Sequence, residues 1–460
     1  MLVRTWVAGL AVLAGLAVPL AVATPAAAQT GTFTYVTNFG SDSVSVVDTA
    51  TNTVTATVPV GDGPFDVAVT PDGTRAYVAN NNSDNVSVID TTTNTVTATV
   101  PVGDMPRGVA ITPDGTRAYV TNLGSDDVSV IDTAINTVIG SPIPVGNGPR
   151  SVAITPDGAR AYVVNTISSD VSVIDTATNT VIATVPVGVN PVGVAITPDG
   201  TRAYVANTSS GSVSVVDTAT NTVTTNILVG LAPIGVAITP DGARAYVTDN
   251  VQANVRVIDT ATNTVIGNPI PVGLSPNEVA ITPDGTRAYV ANAGSDSVSV
   301  IDTTTNTVTT TVPVGDVPVG VAIGTLAAER TPTTLTLKVK KGKDARGNNG
   351  VTLKAKLTAE GQPLEGKTID FTTDSTLLCT ETTNSNGKAT CKAPGKQDKK
   401  TCYTATFAGD DTYEPSTATV CKKYHYSKAD TWPGLLDPTD VHDGVTDMVQ
   451  PAMASAGLPD

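Results

Sequence analysis

Pro113-Asp114-Gly115-Thr116-Arg117-Ala118-Tyr119-Val120 is one of six near-identical octapeptides in this chain. The six begin at Pro71, Pro113, Pro156, Pro198, Pro240 and Pro283, in steps of 42, 43, 42, 42 and 43 residues. A period near 40 marks a repeated supersecondary unit rather than one continuous sheet. Outward from the octapeptide, one repeat reads as residues 109–112, the Asp114-Gly115 turn, residues 117–122, a polar loop, residues 128–132, a second turn and residues 138–145. Each run is short, rich in Val, Ile, Thr and Tyr, and bounded by Gly, Pro, Asn or Asp, which predicts four antiparallel strands per repeat. The Asp-Gly pair supplies the positive φ of a tight hairpin.

The ends of the array set the number of repeats. The first copy lacks its first strand and begins at residues 32–38, with Tyr35 standing 42 residues before Tyr77; the last supplies only a first strand, residues 320–324. Three N-terminal strands and one C-terminal strand complete a seventh unit, so the ends pair and close a ring that leaves no open inner edge. The expected fold is all-β: a seven-bladed β-propeller over residues 29–327. The chain is only 4% aromatic, so Val, Ile, Ala and Thr must fill the gaps between blades. Tyr35, Tyr77, Tyr119, Tyr162, Tyr204, Tyr246 and Tyr289 recur once per repeat, a regularity expected of packing rather than chemistry.

Residues 1–28 read as a secretory signal peptide: Arg4, an apolar run to about Ala23, and a small-residue Ala26-x-Ala28 site. Residues 29–327 contain no Lys and set 25 acidic residues against 9 Arg, a formal −16, whereas residues 328–423 carry +5 and residues 424–460 carry −5. Three charge characters imply two domains and an acidic tail, the tail expected to be partly disordered.

Tyr35-Val36-Thr37-Asn38 and Tyr119-Val120-Thr121-Asn122 carry a resemblance to the YVTN family of β-propeller repeats, extending over residues 32–324. That resemblance implies the propeller fold and a place among surface-layer and other secreted proteins. Comparison of the copies separates fold from function, because the Asp-Gly and Asp-Thr-x-x-Asn-Thr turns hardly vary and fall on one face of the ring. The loops of the other face do vary. Following each loop Pro stands Phe65, Arg107, Arg150, Val192, Ile234, Asn277 or Val319, expected to ring the mouth of the channel. Phe65 with Asp66, Arg107, Arg150 and Asn277 with Glu278 make one half of it polar, and this is the candidate binding site; the rival reading is a solvated rim without a ligand.

Both His residues, His425 and His442, fall in the tail, so the propeller has no imidazole for base catalysis or metal ligation. No cofactor and no catalytic residue is expected. An all-oxygen calcium site from Asp126 and Asp127 is an alternative to solvated loop charge.

Residues 328–423 read as an immunoglobulin-like β-sandwich. Residues 361–366, Asn386-Gly387-Lys388-Ala389-Thr390 and residues 408–416 resemble bacterial immunoglobulin-like repeats, from which the four cysteines depart. Cys379 and Cys391 are equidistant from Ser385, and Cys402 and Cys421 flank the 410–415 turn. Hairpin symmetry therefore predicts bridges 379–391 and 402–421, each across adjacent strands, with zinc as the rival. Lys338, Lys340, Lys341, Lys343, Lys396, Lys399 and Lys400 offer contacts to anionic polymers, or a solvated face.

The expectation at this point is a secreted, non-enzymatic binding or scaffold protein. Its partner would be a cell-envelope polysaccharide or protein, with no nucleic acid and no membrane insertion after signal removal. Two alternatives stand beside it: a propeller enzyme of the metal-dependent lactonase or hydrolase kind, and a nucleic-acid-binding propeller, which the −16 charge opposes.

Overall fold

The structure is a computed structural model that describes residues 31–326, 331–344, 349–373, 376–394, 400–410 and 412–423. The expected signal peptide and acidic tail lie outside them. The chain divides into two compact units, parting between Ala328 and Glu329.

The first unit is a ring of seven antiparallel sheets. Blade 1 has the order Pro318–Leu326, Gly31–Asn38, Ser43–Asp48, Thr53–Pro59, so the C-terminal strand lies innermost beside the three N-terminal ones. Blades 2 to 7 follow at residues 64–101, 106–144, 149–186, 191–228, 233–271 and 276–313. Closure rests on the pairing of Gly31–Asn38 with Pro318–Leu326, in register from Gly31↔Leu326 to Val36↔Val321. The expected strand 138–145 is instead two pieces, Thr137–Val138 and Ile143–Pro144. Gly140 between them takes a φ of 70°, and Pro142 has no N–H for the ladder.

Each hydrophobic cluster of the ring joins two neighbouring blades: Tyr77, Val86, Val88 and Val100 of blade 2, for example, pack with Val109, Ala118, Val120 and Ile131 of blade 3. The seven tyrosines are fully buried, and six of them also form polar contacts. Tyr77, Tyr119, Tyr162, Tyr204, Tyr246 and Tyr289 donate hydroxyl hydrogen bonds of 2.6–2.8 Å to Asn136, Asn179, Asn221, Asn263, Asn306 and Asn52, each in a turn of the next blade. These asparagines adopt positive φ, between 52° and 55°, a conformation Asn tolerates better than most residues. The octapeptide arginines reach the same turns: Arg117 donates to the Thr176 carbonyl at 2.6 Å, and Arg75 and Arg287 contact the Thr133 and Thr49 carbonyls equivalently. Phe33 stands at the arginine position of blade 1 and packs with Leu326 at the end of the closing strand. The Val-Gly that ends each repeat is equally constrained, since a Cβ at Gly61 would lie 2.7 Å from the Asn80 amide nitrogen.

The second unit is a β-sandwich. One sheet contains Thr333–Lys343, Asn349–Ala359, Gln362–Pro363 and Lys388–Pro394; the other has the order Thr376–Thr382, Thr368–Thr373, Lys400–Phe407, Ser416–Lys423. Leu335, Leu353, Phe371, Tyr403 and Phe407 fill the space between them. Cys402 is bonded to Cys421, its direct cross-strand partner. Cys379 is bonded to Cys391, but not across one hairpin as expected: Cys379 lies opposite Phe371 in one sheet and Cys391 opposite Leu353 in the other. The chain crosses between sheets at the 384–387 turn, so equal spacing about Ser385 produced an inter-sheet staple.

The Tyr–Asn contacts predict a thermodynamic cycle. Tyr162→Phe should lower stability by about 1 kcal/mol. Asn221→Ala should cost more, since it strands a buried hydroxyl and puts Ala at positive φ. The double variant should cost less than the sum, measured by chemical denaturation; strict additivity would remove the hydrogen bond from the account.

Candidate functional site

The innermost strand of each blade starts with a Pro followed by two residues facing the channel. In blades 2 to 7 these are Phe65-Asp66, Arg107-Gly108, Arg150-Ser151, Val192-Gly193, Ile234-Gly235 and Asn277-Glu278, and eleven of the twelve line one cavity. All six predicted binding residues are thereby brought together. Val319, the seventh position, is buried and is not in that lining. The second layer is mostly glycine for a steric reason: a Cβ at Gly108, Gly193 or Gly320 would meet the Arg150, Ile234 or Phe65 carbonyl oxygen at 2.6, 2.3 or 2.6 Å. Side chains in this layer are therefore exceptions, and two of the exceptions are acidic.

Asp66 and Glu278 are 212 positions apart in sequence and flank blade 1, whose second-layer residue is Gly320. The two carboxyls hydrogen-bond to each other. Asp66 also accepts the Val67 N–H at 2.7 Å and the Val109 N–H at 2.9 Å, and Glu278 accepts the Val321 N–H at 3.4 Å. Burial is the main cause pushing the Asp66 carboxyl up to about 6, opposed by its backbone hydrogen bonds. Burial and the Asp66 charge hold Glu278 well above the ordinary glutamate range. Burial and the mutual charge of the two carboxyls thus favour holding a proton on the pair, with Glu278 the more strongly raised of the two. Sequence reading named both residues but not their contact; the available signal was their common register, second after the loop Pro.

Above this layer Arg107 lies 4.0 Å and Arg150 5.4 Å from the centre of the Phe65 ring, and Phe39 meets Phe65 edge-on at 6.3 Å. Burial, then the neighbouring Arg150 charge, lowers Arg107 to about 10; both guanidiniums remain charged at neutral pH. The Nε of each is buried without a protein hydrogen-bond partner. Stacked cations with unmet donors suit an oxyanion. The cavity itself measures about 10 Å³, the room of a single water. Anything larger must sit over the mouth.

The rim repeats the asymmetry of the mouth. Two residues before the loop Pro, the chain places exposed Asp62, Asp104 and Asn147 ahead of blades 2, 3 and 4. Ahead of blades 5, 6 and 7 it places Val189, Leu231 and Leu274, 60–63% exposed, with Val251 beside them in the blade 6 loop. The apolar arc adjoins Val192 and Ile234 of the mouth.

Other sites are less equipped. A hollow of about 560 Å³ between blades 6 and 7 is lined by residues such as Ser295, Asp296, Ser299 and Thr311, without paired titratable groups. Asp126 and Asp127 hold loops, accepting the Gly148 N–H and the Asn122 amide. No group of three or more His, Cys, Asp or Glu is placed to hold a metal ion among the described residues.

Comparison with known proteins finds similarity to propeller and Ig-like families. The lactonase family of seven-bladed β-propellers matches residues 103–323, a YNCE-like β-propeller family matches residues 2–115, and the bacterial Ig-like domain of group 3 matches residues 337–422. No curated protein matches. Among solved structures, Kuenenia stuttgartiensis hydrazine synthase is similar at 30% identity and a TM-score of 0.54, over 58% of this chain and 92% of that one. The periplasmic gluconolactonase of Pseudomonas aeruginosa shares the fold at 19% identity and a TM-score of 0.54, over 64% of this chain and 100% of that one. A protein of unknown function from Desulfotomaculum acetoxidans does so at 20% identity and 0.56, over 64% and 99%. The lactonase match overturns the expectation of a non-enzymatic scaffold and favours the hydrolase alternative. Two disulfides are compatible with a site outside the cytoplasm; among the described residues no helix is long and apolar enough to cross a membrane. The chain is a seven-bladed β-propeller, similar over part of its length to the lactonase and YNCE-like propellers, followed by a bacterial Ig-like domain of group 3.

Proposed function

We propose that the propeller is a lactonase-type hydrolase that opens a cyclic ester at the channel mouth. The observation that carries this reading is the buried Asp66–Glu278 pair, both carboxyls raised, lining one cavity with two guanidiniums. The lactonase family match supports it.

The chemistry balances on these residues alone. The Asp66 carboxylate takes a proton from a water as its oxygen attacks the lactone carbonyl carbon. Arg107 and Arg150 stabilise the tetrahedral oxyanion that forms. The ring C–O bond breaks, and Glu278 gives its proton to the departing alkoxide. The proton on Asp66 then passes along the Asp66–Glu278 hydrogen bond and restores the starting state. The net reaction adds one water and yields a hydroxy acid, whose carboxyl proton is released to solvent and whose carboxylate is then held beside the arginines. Two carboxyls beside two cations do not fit a divalent ion, so no step is routed through a metal. The apolar arc of Val189, Leu231 and Leu274 would carry the part of the substrate that does not react. Export through a cleaved N-terminal segment, residues 1–28, fits a chain with two disulfides.

The expected activity is hydrolysis of lactones such as glucono-1,5-lactone or alkyl-substituted γ-lactones, followed by pH-stat. The profile of kcat/KM should be bell-shaped, rising through about pH 6 as the pair loses its first proton and falling as it loses the second. Asp66→Asn and Glu278→Gln should each cost about 100-fold or more in kcat, and Arg107→Ala a comparable factor. No lactone turned over above background, or full activity in Asp66→Asn, would refute the reading.

The same pair sets a pH dependence of stability. Both carboxyl pKa values are raised on folding, so the folded state retains protons that the unfolded chain releases, and stability falls as pH rises from about 4 through 6 and beyond. Glu278→Gln should therefore raise Tm at pH 8 and change it little at pH 4. An equal change at both pH values would show that the two acids do not repel.

A further inference from the structure

The sheet of the Ig-like domain that contains Thr333–Lys343 buries one face and exposes the other. The outward positions on its three long strands are Thr334, Thr336, Lys338 and Lys340; Lys354 and Lys356 with the half-buried Thr352 and Thr358; and Lys388, Thr390 and Lys392. Among them are lysines and threonines and no acid. The register places Lys338 directly opposite Lys354 and Lys356 directly opposite Lys388. Like charges facing each other across a ladder destabilise it, and alternating acids with lysines would have relieved the strain.

The lysines are not scattered over the face. Lys340 and Lys338 are successive on the first strand, Lys354 and Lys356 on the second, and Lys388 follows opposite Lys356 on the third. Steps along a strand are about 7 Å and steps across about 5 Å, so five of the six lysines form one diagonal stripe, with Lys392 standing off it opposite Thr352 on the third strand. Thr336, Thr352 and Thr390 flank it with hydroxyls.

From this arrangement we infer that the stripe is a binding track for a linear acidic polysaccharide. A line of point charges matches a chain of regularly spaced anions better than a plane of them, which argues against a membrane surface. No aromatic side chain stands on the face to stack a base, as single-stranded nucleic acid would use. Flanking hydroxyls suit a ligand rich in hydroxyls of its own. The site is independent of the propeller mouth, and it would hold the enzyme on a polymer bearing or surrounding its substrate.

The test is binding of the full chain to polygalacturonate by isothermal titration calorimetry, with single-stranded DNA and phosphatidylglycerol vesicles as competing probes. The expected result is polygalacturonate binding that weakens as salt rises, reduced at least about tenfold in the K338T/K354T/K356T variant and less than about threefold in K422T/K423T, exposed lysines of the other sheet. The stripe variant should also have the higher Tm, because it removes opposed like charges, so lost binding would not reflect lost folding. Equal loss in both variants, tighter binding to DNA or vesicles, or no binding to polygalacturonate would each overturn the proposal. Lactone hydrolysis should be unchanged in both variants, so this test and that of the propeller site fail separately.

Discussion

Pairing of Gly31–Asn38 with Pro318–Leu326 is the contact on which the rest of this molecule depends. Each blade alone is a small sheet with two apolar faces, stable only against its neighbours. Closing the ring gives every blade two neighbours and lets the hydrophobic clusters continue without a break from blade 7 through blade 1 to blade 2. The closing strand also supplies Gly320 to the channel, with no side chain to separate Glu278 on one side from Asp66 on the other. A ring opened at blade 1 would lose its core continuity and its acid pair together.

The chain maintains this closure with few aromatic residues by repeating one polar staple. The tyrosine that fills the space between blades ends in a hydroxyl, the hydroxyl meets an asparagine in the next turn, and the arginine beside it reaches a carbonyl of that turn. Each staple satisfies a buried polar group while fixing the angle between blades. Repetition explains the invariance of these residues, and it also shows where invariance stops. Phe33 replaces the arginine in blade 1, where the closing strand runs past its ordinary end to Leu326 and covers the position with an apolar contact.

The scaffold and the site follow opposite rules. Everywhere in the second layer of the channel except three positions, close approach of the neighbouring strand demands glycine. Asp66 and Glu278 are held there at an electrostatic cost, visible as raised carboxyl pKa values. Structural positions are not ordinarily held against such a cost, whereas sites that move protons are. The same reasoning separates the two domains. The propeller is acidic overall but concentrates two arginines at its mouth, and the Ig-like domain aligns lysines that repel one another; in each case a local pattern opposes the average.

Much of the fold was legible because repetition substitutes for comparison with relatives. The 42–43-residue period, the truncated first copy and the lone last strand fix the number of blades, since hydrophobic alternation and turn chemistry repeat in register. The positions of the mouth residues were legible for the same reason, but their chemistry was not. That burial and the neighbouring carboxyl raise both acids, and that Asp66 and Glu278 come together beside Gly320, depends on ring closure and on burial, neither of which is a property of local sequence. The Cys379–Cys391 bridge makes the same point in the second domain: spacing suggested the pair, and only the sandwich, by sending the chain from one sheet to the other between them, decided that the bond joins two sheets rather than two strands. Local sequence determines strands, turns and register because those rest on neighbouring dihedrals and period-two burial; what meets across the ring or between sheets is decided by how the closed structure brings distant residues together.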